Sequence, residues 1–244
     1  MSLSLSICIL SWKAHSTLRN TLSSYKEKGL LDLTDDVIIF FQECSKEDGD
    51  IAREFDIPLV IGDETNVGIG EAFKRMIECA KYKTVLVLEN DWVLQIPTKS
   101  ETEAYILDSI TLLDSGMADF VRLRHNKVPG VPLYTAQFHG REMDSPEHLI
   151  EQVHFLGSDL SLYFPDKFWY TIYSKSGFVI GDSKFSNYSN NPFMCKKDFW
   201  LKNVAPHSGV AGHNETLVRD SWIKGGYNVA FNIPGLFTHK RVDR

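Results

Sequence analysis

One apolar run, and the acids that end it, constrain the fold more than any other part of the sequence. Residues 84–88 read Thr-Val-Leu-Val-Leu, and the run stops abruptly at Glu89-Asn90-Asp91. Continuous apolar strands are typical of the centre of a parallel sheet, where helices cover both faces. Because ligands of open α/β sheets bind at the carboxyl ends of the strands, this segment predicts both an α/β fold and the position of its site.

The preceding sequence supports this fold, because short apolar runs alternate with longer amphipathic stretches. Strands are expected at 5–10, 36–41, 59–61 and 84–88, and helices at about 16–28, 46–55 and 70–82. Such alternation is typical of βαβ units around a mostly parallel sheet. We expect Ser16 or Thr17 to cap the first helix and Gly29 to close it.

The pattern is less regular after residue 91. We expect a helix at about 102–114, a strand at 119–124, order again at 193–203, a helix at about 215–225 and a strand at 228–233. The intervening stretch is dense in Pro, Gly, His and aromatic residues, which is typical of substrate-specific walls on a regular scaffold. No repeat, linker or charge block marks a boundary, so residues 1–244 are expected to form a single domain.

Charge and termini exclude several classes of protein. The net charge of -6 argues against binding to nucleic acid, because phosphate neutralisation needs a concentrated excess of Lys and Arg. The N-terminus lacks a basic segment, and its apolar residues alternate with serine, so we expect a first strand rather than a signal peptide or an integral membrane span. The expected location is cytoplasmic, with peripheral membrane association only through a partner.

The four cysteines are far apart and form no Cys-x-x-Cys pair. Cys8 and Cys44 fall within strand-like apolar runs. We therefore expect buried free thiols in a reducing compartment.

The acids after the central strand suggest a metal site. Two acids at positions i and i+2 can converge on one hard cation where the backbone turns, and Mg²⁺ and Mn²⁺ prefer carboxylate oxygens together with substrate phosphate. The alternative is that these acids only cap a turn. No Gly-x-x-x-x-Gly-Lys-Ser/Thr loop is present, and no Gly-x-Gly-x-x-Gly follows the first strand, so the common phosphate-binding loops are excluded.

The segment from Leu88 to Trp92 resembles the variant Asp-x-Asp motif of GT-A-fold glycosyltransferases, in the Leu-Glu-Asp-Asp-Trp form of family-2-like members. The resemblance implies a GT-A-like α/β fold, with a mostly parallel central sheet flanked by helices and an irregular acceptor-side half. Residues 1–95 would bind the nucleotide sugar and residues 96–244 the acceptor. Asn90 departs from the pattern at a variable position. The resemblance implies that Asp91 is the ligand of Mn²⁺ or Mg²⁺. It implies Glu89 as a second candidate, in contact with the metal or the donor ribose.

Three further segments resemble donor-binding loops of that family. The first strand ends in Ser11-Trp12, the second is followed by Glu43, and residues 64–72 resemble an Asn-x-Gly-x-x-x-Ala signature. The resemblance implies nucleotide-sugar binding by Ser11, Trp12, Glu43, Asn66, Gly68, Gly70, Glu89 and Asn90. For Trp12 an edge-of-core position is the alternative to stacking on a base, and the glycines can also be simple turn residues.

The second half resembles the acceptor side of these enzymes. Residues 188–200 resemble the entry to that side, and Glu215, at the start of a helix, matches the position of the general base in inverting transfer. Its alternative role is to complement the helix dipole. His239 resembles the C-terminal histidine that serves as a further metal ligand, and Lys240 and Arg241 would steady the diphosphate or remain solvated.

Other polar and aromatic residues are weaker candidates. His207 and His213 are possible metal ligands, although their spacing does not distinguish them. A further group of residues could line an acceptor groove, and the alternative is that they form a structural aromatic cluster. These residues are Arg122, Arg124, His125, Trp169, Tyr170 and Tyr173.

The predicted function is transfer of a hexosyl group from a nucleoside-diphosphate sugar to a hydroxyl of a glycan, glycoprotein or other acceptor, with inversion and Glu215 as base. Alternatives are a retaining enzyme on the same fold and a non-catalytic carbohydrate- or nucleotide-binding module. A nucleotidyltransferase would need a Gly-rich basic loop after the first strand, and residues 11–15 do not supply one.

Overall fold

Four parallel strands form the first half of the sheet, as the alternating pattern predicts. The computed structural model describes residues 2–130, 157–209 and 214–243. The strands are β1 Leu5–Trp12, β2 Asp36–Gln42, β3 Leu59–Gly62 and β4 Thr84–Glu89, and the helices are α1 His15–Glu27, α2 Lys46–Glu54 and α3 Ile69–Cys79. They pair in the order β3-β2-β1-β4, with every pairing parallel.

The second half extends this sheet and adds a small ribbon. Its strands are β5 Trp92–Leu94, β6 Phe120–Arg122, β7 Phe168–Ile172, β8 Gly177–Asp182, β9 Phe193–Lys196, β10 Asn228–Ile233 and β11 Phe237–His239. Its α-helices are α4 Lys99–Asp114, α5 Leu160–Tyr163, α6 Lys197–Asn203 and α7 Asn214–Gly225. Short 3-10 turns lie at Leu31–Leu33, Gly157–Asp159, Ser183–Phe185 and Ala205–His207. The nine-stranded order is β3-β2-β1-β4-β9-β6-β10-β8-β7, and β11 pairs with β5 separately.

The pairings give seven of the nine strands one direction, with β8 and β9 reversed. The sheet is therefore mostly parallel, as predicted. Its two faces carry separate apolar cores. One core packs against α1, α2 and α4, and the other against α3, α6 and α7. In β4, Leu86 and Leu88 face the first core while Val85 and Val87 face the second, which explains why the strand shows no polar alternation.

The element predictions differ from the structure where short strands lie in irregular sequence. The predicted strand at 119–124 is only Phe120–Arg122, and residues 193–203 form a strand followed by a helix. Strands β5, β7, β8 and β11 were not expected. They have three to six residues each, too few for a periodic signal to emerge from the surrounding Gly, Pro and aromatic residues.

The predicted cap of α1 is wrong. Ala14 occupies the N-cap position, with no side-chain cap of its own, while Ser16 and Thr17 lie inside the first turn. The carboxylate of Asp243 instead accepts hydrogen bonds from the backbone N–H groups of both residues, at 2.9 and 3.0 Å. A cap from 226 residues away leaves no local sequence signal. At the other end, Gly29 follows the helix with φ of 71°, as expected.

The four cysteines are free, as predicted, but only two are buried. Cys8 and Cys195 lie in the core, whereas Cys44 and Cys79 are exposed. Cys44 lies two residues beyond the end of β2 at Gln42, so the expectation that it is buried within a strand is wrong. None of the helices in the described ranges is both long and apolar enough to cross a membrane.

We predict that Leu86→Ala lowers the free energy of unfolding by about 2–5 kcal/mol, because it removes a fully buried side chain from the centre of the sheet. Urea denaturation followed by circular dichroism measures the change. Leu107→Ala is the matched control, since Leu107 is 39% exposed on α4, and its effect should stay within about 0.5 kcal/mol. Equal losses for the two variants would contradict the central position of β4.

Candidate active site

The order of the strands creates a crevice between β1 and β4. The chain moves outward from β1 to β2 and β3 through α1 and α2, and then returns through α3 to β4 on the other side of β1. The helices that leave β1 and enter β4 pack on opposite faces of the sheet. The loops at the carboxyl ends of β1 and β4 therefore diverge, and ligands of open α/β sheets bind at such switch points.

Asp91, His239 and Arg241 meet at this crevice. Asp91 lies in the turn between β4 and β5, and antiparallel pairing of β5 with β11 sets His239 opposite Trp92. The His239 Nε2 atom is 3.1 Å from Asp91 Oδ2, and Arg241 Nη2 is 3.4 Å from the same oxygen. The structure thus brings together the two residues predicted as metal ligands, although 148 positions separate them in the chain.

Glu89 is a carboxylate that holds its proton unusually strongly. Burial raises its pKa to about 8, the charges of Asp91 and Glu215 add to this rise, and Arg241 opposes it. These effects show that Glu89, Asp91 and Glu215 belong to one electrostatic cluster. At neutral pH the cluster carries less negative charge than three free carboxylates would.

Asn90 makes the contact that joins the motif to the first loop. Its buried amide nitrogen donates to the carbonyl oxygen of Lys13 at 3.2 Å and approaches Ser11 Oγ at 3.4 Å. The predicted donor-binding residues Ser11 and Asn90 therefore contact each other. An amide suits this position because it donates to these oxygens, which a carboxylate cannot do.

The loops after β1 and β2 form the neighbouring wall. Trp12 is 46% exposed, the Lys13 ammonium lies 5.2 Å from its ring centroid, and Lys13 Nζ is 2.5 Å from Glu43 Oε2. The hydrogen bond with Lys13 lowers the pKa of Glu43. Lys13, Ala14 and Glu43 have φ of 54°, 57° and 51°, which is strained for residues with a Cβ. Such strain clusters at functional sites.

The loop from Asn66 to Gly70 serves two different purposes. The Gly68 N–H donates to Asn66 Oδ1 at 2.9 Å and to Gln42 Oε1 at 3.1 Å, and its φ of 83° favours glycine. At Gly70 a Cβ would come within 2.8 Å of Asn214 Oδ1 and 2.9 Å of the Gly209 carbonyl oxygen. Close packing between α3 and the start of α7 therefore explains Gly70, whereas Asn66 and Gly68 shape the loop beside the crevice.

Glu215 lies in the first turn of α7, and the loop before β9 orients its carboxylate. Its Oε1 atom accepts hydrogen bonds from Ser189 Oγ and from the Asn190 backbone N–H, both at 2.7 Å. The adjacent Asn214 side chain donates to Asn190 Oδ1 at 2.9 Å. The chain segments at 188–200 and 215–225, expected to form the acceptor side, are thus joined through one carboxylate oxygen.

Arg122 supports this loop from the end of β6. Its buried guanidinium donates from Nη1 to the Asn187 carbonyl oxygen at 2.7 Å. Burial lowers the pKa of Arg122 to about 10, and the charge of Glu215 opposes that shift. In the sequence, Arg122 was one of the candidates for an acceptor groove. In the structure, it contacts the loop that holds Glu215.

The other acceptor-groove candidates do not form one surface. Arg124 donates to the carbonyl oxygens of Pro129 and Gly130, and His125 Nδ1 accepts from backbone N–H groups. Trp169 and Tyr170 lie on the edge strand β7, three strand positions from β6, a separation of about 14 Å. Tyr173 instead contacts Met117 and Phe178.

Of the histidines predicted as alternative ligands, His207 is exposed at the end of a 3-10 turn, and His213 lies outside the described residues. Within residues 2–130, 157–209 and 214–243, no group of three His, Cys, Asp or Glu side chains is arranged to hold a metal ion. Among these described residues, Asp91 and His239 are thus the pair that would bind a metal, with oxygens of substrate phosphate and water as further ligands.

Comparisons with known proteins agree with this fold. No protein-family model matches the chain, and there is no significant match among curated proteins. The crystal structure of S. aureus TarS 1–349 has a TM-score of 0.59 at 12% sequence identity, over 98% of this chain and 60% of that one. Its complex with UDP-GlcNAc has a TM-score of 0.61 at 11% identity over 100% and 60%, and its complex with UDP has 0.54 at 12% over 98% and 60%.

The chain thus spans 60% of the length of these TarS chains. The likeness covers 98–100% of this chain and therefore extends over both halves of the sheet. It confirms the predicted α/β fold, with a mostly parallel central sheet flanked by helices, as one that this chain shares with TarS.

We predict that Glu89→Gln stabilises the protein at alkaline pH. With a folded-state pKa of about 8, native Glu89 keeps a proton that the unfolded chain loses near pH 4.3, so the free energy of unfolding falls as pH rises between these values. Glutamine cannot ionise. In metal-free buffer at pH 8 the variant should be more stable than the wild type by roughly 1–3 kcal/mol, and near pH 4 the difference should vanish.

Urea denaturation at both pH values measures this difference. Glu27→Gln, at an exposed position on α1, is the matched control and should follow the wild type across the range. A Glu89→Gln variant that is less stable than the wild type at pH 8 would contradict the burial of a protonated carboxyl.

Proposed function

We propose that this protein is a glycosyltransferase that moves a sugar from a nucleoside-diphosphate sugar to an acceptor hydroxyl. The observation that carries the proposal is the convergence of Asp91, His239 and Glu215 on the crevice between β1 and β4. The first two contact each other at 3.1 Å, and Glu215 acts electrostatically on Glu89 in the same motif. TarS 1–349, which has a similar fold, is found in complex with UDP and UDP-GlcNAc, and this supports a nucleotide-sugar donor.

The donor would bind along the loops that follow the parallel strands. The exposed face of Trp12 is available for stacking on a nucleobase, and Glu43 is an ionised hydrogen-bond acceptor beside it. Asn66 and Gly68 bring the backbone close to the crevice. Lys13 and Arg241 supply positive charge on either side of the motif, which favours a diphosphate.

The residues present suit a divalent cation. Asp91 offers a carboxylate oxygen and His239 an imidazole nitrogen, and their separation of 3.1 Å lets both reach one ion. Mn²⁺ accepts this mixed pair, whereas Mg²⁺ favours the carboxylate, and both ions take further oxygens from phosphate and water. When bound, the metal would neutralise charge on the departing nucleoside diphosphate.

Glu215 is the proposed general base of an inverting reaction. The hydrogen bonds from Ser189 and Asn190 fix one carboxylate oxygen, Oε1, so the role of base falls to the second oxygen, Oε2. That oxygen would accept the proton of the acceptor hydroxyl as it attacks the anomeric carbon. The bond from the anomeric carbon to the diphosphate oxygen breaks on the opposite face, and the configuration inverts.

We predict that Asp91→Asn lowers kcat/KM by about 100-fold or more, because it removes the anionic metal ligand. The assay is donor turnover over a panel of nucleotide sugars with Mn²⁺ or Mg²⁺. Chelation by EDTA should abolish transfer by the wild type, and Mn²⁺ should restore it. Asp220→Asn, on the exposed side of α7, is the control and should remain near wild-type activity. Full activity of Asp91→Asn would refute the metal role.

We predict that Glu215→Gln lowers kcat by about 10²–10⁴-fold while leaving the donor dissociation constant within about twofold. The amide keeps the hydrogen bonds to Oε1 but cannot accept the proton. Quenched-flow kinetics and calorimetry separate the two quantities, and NMR of the product reports its anomeric configuration. A retained configuration would favour the retaining alternative, and donor binding without any turnover would favour a non-catalytic module.

A further inference from the structure

The four residues after β11 form a strap, Lys240 to Asp243, that crosses from the acidic motif to the start of α1. At one end the Lys240 backbone N–H donates to the Asp91 carbonyl oxygen at 2.7 Å, and Arg241 lies 3.4 Å from the Asp91 carboxylate. At the other end the Val242 N–H donates to Thr17 Oγ1 at 2.9 Å. The strap therefore contacts both walls of the crevice.

Asp243 completes the strap by capping α1. Its carboxylate accepts hydrogen bonds from the N–H groups of Ser16 and Thr17 and a short one from the Thr17 hydroxyl. Burial raises the pKa of Asp243, but these hydrogen bonds outweigh it, and the net pKa lies below its usual value. Negative charge is favourable at a helix N-terminus, where these N–H groups lack intrahelical partners. Ala14, at the N-cap, has no side chain for this purpose.

The start of α1 determines where the loop after β1 lies. Lys13 and Ala14 both adopt the strained left-handed conformation immediately before the helix, and the Lys13 carbonyl oxygen is held by Asn90. If the first turn of α1 frays, the strain at these residues is released and the loop relaxes. Trp12 and Lys13 would then leave their places beside Glu43.

We propose that Asp243 and Thr17 are positioning residues of the donor site. The strap holds the first turn of α1, and through it the loop that carries Trp12 and Lys13, at a fixed distance from Asp91. This inference rests on the proposed function, because it assigns the loop to nucleotide binding. Neither residue contacts the substrate in this proposal, and neither takes part in the chemical step.

Four variants test the role. Asp243→Ala removes the carboxylate that caps α1, and Thr17→Val removes the hydroxyl that joins α1 to the strap. Each should raise the dissociation constant for a nucleoside diphosphate about 3- to 30-fold. Asp243→Asn should remain within about threefold of the wild type, because Asn caps helices almost as well as Asp. Asp220→Ala is the control for an exposed Asp-to-Ala change on a helix and should leave the affinity unchanged.

The measurements separate positioning from folding. Calorimetric titration with UDP and GDP in the presence of Mn²⁺ gives the affinity, and hydrogen exchange at Ser16 and Thr17 reports the cap. We expect Asp243→Ala to lose protection at both amides and to raise the KM for the donor, with kcat changed by less than about twofold. The double variant with Thr17→Val should show less than the sum of the two single effects, because both substitutions remove the contact between the Thr17 hydroxyl and the Asp243 carboxylate.

Three outcomes would overturn different claims. Loss of amide protection with unchanged nucleotide affinity would make the strap a purely structural cap and refute the positioning role. Failure of the wild type to bind either nucleotide would contradict the proposed function itself. Rescue by Asp243→Asn supports the inference, whereas an Asn variant as weak as the Ala variant would refute capping as the cause.

Discussion

Parallel pairing between β1 and β4 determines where the central loops of the candidate site lie. These two strands are adjacent in the sheet although β2 and β3 come between them in sequence, so their carboxyl ends deliver two unrelated loops to one place. Ser11 and Trp12 come from one end and Glu89, Asn90 and Asp91 from the other. The hydrogen bond from Asn90 to Lys13 joins the loops directly. Helices on opposite faces keep the space above this pair open.

Electrostatic balance is the second constraint on the site. Glu89, Asp91 and Glu215 lie close enough to interact, and desolvated carboxylates repel one another unless a proton or a cation intervenes. The protein uses both solutions, because the raised pKa of Glu89 favours its protonated form, while the charge of Arg241 acts on Glu89 and the charge of Glu215 acts on Arg122. In the proposed function, these cations would also reduce the repulsion between this acidic chain and an anionic donor. A net charge of -6 therefore does not describe the local field.

The sequence predicted the parallel half of the fold because each of its elements carries a strong periodic signal. The apolar run before Glu89 and the alternation of strands and helices required no tertiary information. The meeting of Asp91 with His239 was accessible only through resemblance, since no local pattern links positions 148 residues apart. The contact between Arg122 and Asn187 had no signal in the sequence, because it depends on how β6 and β9 pair. The same holds for Asp243, which replaces a local cap that Ser16 or Thr17 would otherwise provide.

The ribbon of β5 and β11 has a consequence for how such a chain tolerates insertions. Successive side chains of a strand point to opposite faces, and His239 reaches Asp91 in the register that pairs it with Trp92. A shift of this register by one residue would turn the side chain to the other face. One residue gained or lost inside β11 would turn the imidazole away and present the hydroxyl of Thr238 instead. Changes in the length of the chain elsewhere between the two strands do not alter this register. The register of the three residues of β11 is therefore a stricter constraint on the chain than the lengths of the segments that separate the two strands.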